Sequence, residues 1–366
     1  MYQIVGTKIR KLRAGTGLTQ KHLAKAVGLS SKFISQLELG KRAPSLDSLS
    51  ALATFFKKDI SYFMVEKKEE GFRWLLQNPQ LDQKARRILK KFQSYVDQYL
   101  WLEDLTGRRL NLAPVYTSVT PERMAEQERR RLGLGDEPIR NVLSLLELNG
   151  LRILRYPISN EFNISGIHVF IELKQAAFTL VNSHLPYDRQ VFTAVHEYSH
   201  YLKDRSDDPI VDSPDFFVDE YVTLYHPRER FAQRFASCFM MPRNKVREIV
   251  EKDFGKFRLD FDDVLYLKRY FGVHPLDMLS TLREMDYISP TRGKEYLNLD
   301  ADKREKILFG SLDGKASKTG KKAGPIVSER FFHLALDAFR KRKINTQMMA
   351  ELLNISSSAV ESIAKK

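Results

Sequence analysis

Along the first sixty residues, apolar positions recur every three or four residues in short runs separated by glycine or proline. Ile9 and Leu12 belong to a basic first run. Leu23, Ala24 and Val27 form a second, Ile34 and Leu37 a third, and Leu46, Leu49, Leu52, Ala53 and Phe56 a fourth. This spacing predicts short amphipathic helices. Thr19 and Ser30 stand where N-caps are needed, ahead of helices over 20–27 and 31–39. Gly28 falls where the chain must turn sharply, Gly40 ends the third helix and Pro44-Ser45 opens the fourth.

Beyond this region the pattern changes twice. From 66 to 105 a polar stretch carries helically spaced Leu75, Leu81, Leu89, Phe92, Val96, Tyr99 and Leu102, interrupted at Asn78-Pro79 and ended by Gly107. It reads equally as a spacer or dimerisation stalk and as a helix packed on the following domain. Helices follow over 124–132 and 139–148. Residues 151–156 then alternate, and 168–172 and 177–182 are short and β-rich, which predicts a small sheet. Val191, Val195, Tyr198 and Leu202 make the buried stripe of a helix over 189–203, and a further helix starts near Pro227 and stops before Pro242. Residues 258–292 look like paired helices closing this domain. The basic, small-residue stretch 311–324 reads as an exposed linker, and 328–341, 346–353 and 356–364 as terminal helices. The expected fold class is α+β and mostly helical: an N-terminal helix-turn-helix bundle, a middle domain with a small sheet, and a helical C-terminal region.

A length of 366 residues implies two or three domains. The pattern divides the chain into 1–65, a helical linker 66–110, a main domain 111–295 and a C-terminal segment 325–366. No apolar run is long enough to span a membrane, the first residues lack an apolar signal core, and Cys238 is the single cysteine. These features point to a cytoplasmic protein. The net charge of +14 is concentrated at the ends: residues 1–60 hold 11 Lys/Arg against 3 Asp/Glu, and residues 315–366 hold 11 against 4. Basic ends suit contact with phosphates, or simply solubility.

Two short helices joined by a glycine turn suit the DNA-binding arrangement in which the second helix enters the major groove. The exposed side of that helix would show Ser31, Lys32, Ser35 and Gln36 to base edges, with Gln20, Lys41 and Arg42 placed for phosphates. Through Gly17-Leu18-Thr19-Gln20, Leu23-Ala24, Gly28, Ile34-Ser35, Glu38, Gly40-Lys41 and Pro44-Ser45 the segment resembles the phage-repressor-like Xre/Cro family. That resemblance implies a double-stranded DNA operator as partner and a homodimer reading two half-sites.

The second chemical motif is His196-Glu197-Tyr198-Ser199-His200. Histidines four residues apart share a helix face and can bind one zinc ion, and the glutamate beside the first can act as general base. Tyr198, Tyr201 and Tyr225 are nearby hydroxyl donors, or ordinary packing residues. With Arg130-Arg131-Leu132-Gly133-Leu134-Gly135, Phe192-Thr193-Ala194-Val195, His200-Tyr201-Leu202, Phe235-Ala236 and Met240-Met241-Pro242, the region from Met124 to Pro242 resembles the ImmA/IrrE-type metallopeptidase family. The resemblance implies a zinc cofactor and a glutamate ligand four residues before the Phe-Ala pair. This chain has Phe231 there, and a phenyl ring cannot bind zinc. Glu229 lies about 160° away around a straight helix but borders the small-residue side of Ala232 and Ala236. His226, Glu220 and Asp219 are the other candidates for a third ligand.

The two motifs together point to a DNA-binding transcriptional regulator with a zinc-metallopeptidase-like sensor or effector domain. In this reading His196, His200 and Glu229 hold the metal and Glu197 is the catalytic residue. The alternative is an active zinc endopeptidase cleaving a repressor or antitoxin, and a third reading has a degenerate site that holds a protein partner. The resemblance implies roles in stress response, mobile elements or phage defence.

Overall fold

In a computed structural model the chain forms two compact units, Met1–Glu70 and Gly71–Lys366. The structure describes residues 2–16, 18–56, 58, 63, 83–159, 162–205, 210–212, 227–255, 258–310 and 326–364. The stretch read as a linker over 311–324, the start of the stalk over 66–82, and the candidates Asp219, Glu220, Tyr225 and His226 lie outside the described residues.

The first unit contains α1 (Tyr2–Gly15), α2 (Gln20–Ala26), α3 (Ser31–Glu38) and α4 (Leu46–Phe55). The caps read from the sequence at Thr19 and Ser30 are made, and Ser45 caps the fourth helix as well. Thr19 accepts from the His22 N–H at 3.2 Å, Ser30 from Phe33 at 3.1 Å and Ser45 from Ser48 at 3.2 Å. Gly28 has φ +69°, a conformation that an L side chain rarely adopts, so the α2–α3 turn requires glycine. The helices close over Val5, Ile9, Leu23, Ile34, Leu37, Leu49 and Leu52.

The second unit is built around a four-stranded sheet. Its elements begin with α5 (Gln83–Thr106), α6 (Pro121–Arg131), α7 (Val142–Leu148), β1 (Leu151–Tyr156), β2 (Gly166–Ile171), β3 (Ala176–Asn182), α8 (Tyr187–Lys203), β4 (Ile210–Asp212) and α9 (Pro227–Met240). There follow α10 (Arg243–Glu248), α11 (Phe261–Phe271), α12 (Pro275–Glu284), α13 (Pro290–Leu297), α14 (Ala301–Phe309), α15 (Glu329–Arg340), α16 (Thr346–Leu353) and α17 (Ser357–Ala364). The strand order is β1-β3-β2-β4, with β1 parallel to β3 and the other pairs antiparallel.

Side-chain alternation splits the sheet between two cores. Leu151, Ile153, Ala177 and Val181 face α8, whereas Leu154, Ile167, Val169, Phe178 and Leu180 join α5 and the C-terminal helices on the other face. The helix read as either a stalk or a packed element is therefore packed: Leu89, Phe92, Val96, Tyr99 and Leu102 of α5 are buried in the second core. Ionic and polar contacts join the same parts. Arg152 of β1 donates to Glu103 of α5 at 3.1 and 2.7 Å, and Arg330 of α15 reaches the same carboxylate at 2.7 Å. Tyr99 and Ser328 both donate to Glu147 of α7, at 2.7 and 2.5 Å. A buried Arg–Glu pair is tolerated only when its remaining groups are bonded, and here they are.

Several boundaries differ from the sequence reading. The helix expected from residue 139 begins at Val142, because Asn141 caps it by accepting from the Ser144 N–H. β2 starts at Gly166, two residues early, and β4 was not anticipated, since a three-residue strand has no readable period. The paired helices expected over 258–292 are α11 and α12, but α13 and α14 extend the helical run to Phe309.

Phe178 is fully buried and meets Tyr99 at a ring-centroid distance of 5.8 Å. Phe178→Ala should lower stability by about 3–5 kcal/mol, the usual loss for truncating a buried aromatic. Urea unfolding of the full chain, followed by tyrosine fluorescence, would measure it.

Candidate metal centre and nucleic-acid interface

Helix α8 is enclosed along its length: every residue from Arg189 to Leu202 is buried. One side lies under the sheet. The other is held by polar anchors. Tyr198 donates to Glu128 of α6 at 2.5 Å, and Arg131 and Tyr116 bond the same carboxylate at 2.6–2.8 Å. The Tyr201 hydroxyl accepts the Ala113 N–H at 2.6 Å. Tyr198 and Tyr201, two of the three tyrosines read as hydroxyl donors or packing residues, are therefore engaged in holding the helix.

The rotation set by these anchors turns His196 and His200 toward α9. Their Nε2 atoms are 3.2 Å apart. Glu229 Oε2 lies 3.1 Å from His196 Nε2 and 3.4 Å from His200 Nε2, so one carboxylate oxygen and two imidazole nitrogens converge. Both histidines are fully buried and Glu229 is 9% exposed. Burial would raise the Glu229 carboxyl, but its hydrogen bonds to His196 and His200 overcome that and hold it well below the usual carboxylate range.

Position 231, where the family resemblance puts the third ligand, does not enter the cluster. The Phe231 ring packs beside the main core under the Lys203 ammonium, 4.8 Å from its centroid. Glu229, Ala232 and Ala236 form one stripe of α9, and both alanines are fully buried. Small residues on that stripe allow α9 to seat closely on α8, which carries Glu229 in. The far end of α9 is held by Arg129 of α6, whose guanidinium donates to the carbonyls of Phe239, Gly135 and Glu137 at 2.6–2.8 Å.

The donor set fits a zinc ion. Tetrahedral ligands at ordinary Zn–N and Zn–O lengths sit about 3.3 Å from one another, and the three separations here are 3.1, 3.2 and 3.4 Å. Asp204 adds a contact that the sequence reading missed. Its Oδ2 is 3.3 Å from His200 Nδ1, which leaves Nε2 of that ring directed at the cluster. The i+4 spacing from His200 was the available signal. Burial raises the Asp204 carboxyl, but the bond to His200 and the Lys203 charge bring it below the usual range. Glu197 is fully buried and lies under β2, where Gly166 passes so close that a Cβ added there would stand 2.0 Å from its Oε1.

In the first unit, Ser31 and Lys32 are exposed and Ser35 and Gln36 half-buried on α3, while Ile34 and Leu37 of the same helix are buried. Lys41 and Arg42 are exposed, and the Arg42 guanidinium lies 4.7 Å from the Phe33 ring centroid. Gln20, read as a phosphate contact, instead gives its amide N–H to Glu38 at 2.8 Å, beside Arg13, which bonds that carboxylate at 2.6 and 3.0 Å. A buried glutamate needs these partners, so Gln20 serves the junction of α1, α2 and α3.

Comparison with known proteins agrees with both halves. A helix-turn-helix family model matches residues 9–63 and an IrrE N-terminal-like domain model matches residues 150–276. An HTH-type transcriptional regulator of Archaeoglobus fulgidus is 41% identical over 64 residues, covering 18% of this chain and 91% of that protein. The chain belongs to the Xre-type helix-turn-helix transcriptional regulators. Another HTH-type regulator, y4dJ of Sinorhizobium fredii, is 38% identical over 53 residues, 14% of this chain and 69% of that one. Behind the helix-turn-helix match this regulator carries the IrrE-like domain. The solved structure of Bacillus thuringiensis PlcR with the peptide PapR7 and DNA is 11% identical and covers 99% of this chain and 96% of its own, with a TM-score of 0.17. Among the described residues of the regulator, no helix is long and apolar enough to cross a membrane.

Gly166→Ala should cost about 1–3 kcal/mol, as overpacking does, because the added methyl must displace Glu197. In a double-mutant cycle with Glu197→Ala that cost should shrink, which thermal unfolding of the four proteins would show.

Proposed function

We propose that this regulator binds an operator through α3 and that its second unit carries a zinc centre of the hydrolytic type, made by His196, His200 and Glu229 and acting on a peptide bond in a protein partner. The observation that carries the second part is Glu229 meeting both histidines at 3.1 and 3.4 Å. Three protein ligands are the catalytic pattern, since structural zinc sites are closed by four. When bound, zinc would supply a Lewis acid that polarises a carbonyl and acidifies water. The protein's own contributions are distinct. Glu197, one residue from His196, takes a proton from the attacking water and passes it to the departing amine as the C–O bond forms and the C–N bond breaks. Asp204 keeps the His200 ring oriented. The tight packing of α8 excludes bulk water from these groups. A repressor or antitoxin is the substrate class that this reading favours, and a homodimer on two half-sites the DNA-bound form.

Metal content tests the centre. After loading and desalting, one zinc per wild-type chain is expected, and almost none for His196→Ala or Glu229→Ala. Glu197→Gln should keep its zinc but lose cleavage in a peptide-library digest read by mass spectrometry. Asp204→Asn should bind zinc about 10–100-fold more weakly. A wild-type chain without zinc would contradict the proposal.

The DNA half has its own test. With a duplex selected by the full chain from a random library, Lys32→Ala with Gln36→Ala should weaken binding by at least tenfold. The wild-type affinity should fall with log salt at a slope of about −0.9 per phosphate contacted. Unchanged affinity in the double variant would remove α3 from the groove.

A further inference from the structure

The proposed zinc centre has a neighbour that neither motif contains. His168 is on β2, opposite Thr179 of β3 and Ile210 of β4. It is 3% exposed, and among the described residues neither of its ring nitrogens has a hydrogen-bond partner. A buried polar group without a partner is destabilising, so its presence calls for an explanation.

Strand geometry says where the ring goes. Ile167 and Val169 belong to the core on the far face of the sheet, so Gly166 and His168 share the face that covers α8. Gly166 presses on Glu197 and Thr193. Two residues further on, His168 stands on that same face, and His200 and Asp204 are among the charged groups that act on its ring. An imidazole has an N–H to give in either protonation state. The ring is not one of the convergent donors, since the group within ligand distance is His196, His200 and Glu229.

We propose that His168 is a ligand-contacting residue of this centre, giving an N–H to the oxygen of a peptide carbonyl or carboxylate seated beside His200. The proposal rests on the zinc reading above. It assigns to β2 the polar contact that orients the ligand, while α8 and α9 supply the metal ligands.

The test uses the full chain, loaded with zinc, and acetohydroxamate as a probe that offers a metal-binding carbonyl. Zinc content is measured first, then probe affinity by calorimetry, for wild type, His168→Phe, His168→Leu and His168→Gln. Circular dichroism confirms folding of each. The expected result is one zinc per chain throughout, probe affinity at least tenfold weaker in the two apolar variants, and partial recovery in His168→Gln, whose amide keeps an N–H. Equal affinity in wild type and either folded apolar variant would overturn the proposal while leaving the zinc centre intact. Loss of zinc from the folded His168 variants would also overturn it, by making His168 a metal ligand. Wild type without zinc would overturn this proposal together with the reading beneath it, and is recognised before any probe is added.

Discussion

The second unit depends on how closely one helix can lie against another. Glu229 reaches the histidines of α8 because Ala232 and Ala236 leave no side-chain bulk on that stripe of α9. Convergence of two imidazoles and a carboxylate in a buried place is unfavourable without a cation or a proton between them. The surrounding packing must therefore hold it in place. Tyr198 and Arg131 on Glu128 fix α8, and Arg129 fixes the end of α9. These contacts join α6, α8 and α9 into one framework, with the residues that could hold a metal at its centre.

The sheet links this framework to the end of the chain. Its inner face presses on α8 at Gly166, while its outer face is closed by α5 and the C-terminal helices. Arg152 crosses from the strand to Glu103, and Arg330 meets the same carboxylate from α15. Residues more than two hundred positions apart thus share one charge cluster. The C-terminal helices belong to the core of the second unit, which accounts for the buried Phe331, Leu334 and Ala335 on α15. Helix α5, whose pattern fitted both a stalk and a packed helix, is committed on its apolar side to the same core.

The first unit reproduces this logic on a smaller scale. Glu38 is buried, and its carboxyl would be raised by burial but is brought below the usual range by Arg13 and Gln20. That arrangement gives Gln20 a partner within the first unit. It leaves Lys32, Ser31, Lys41 and Arg42 exposed, with Ser35 and Gln36 at the edge of the same surface. A polar residue at the start of a helix can serve either the backbone of a nucleic acid or the interior, and its type alone does not say which.

Local physics was legible without coordinates. The caps at Thr19 and Ser30, the turn at Gly28, the period of the buried stripes and the pairing of His196 with His200 follow from interactions within a few residues. Those rules apply wherever the chain is placed. Glu229 was named as a candidate from the sequence, but its meeting both histidines turns on the rotation of α9 against α8. The contact of Asp204 with His200 spans four residues and was missed although its spacing was readable. The burial of His168 on the face of β2 that covers α8 was not legible, because it required the register of β2 on β3. Helical period tells which residues share a face, but the partner that covers the face is decided by packing, and it is packing that selects which groups meet.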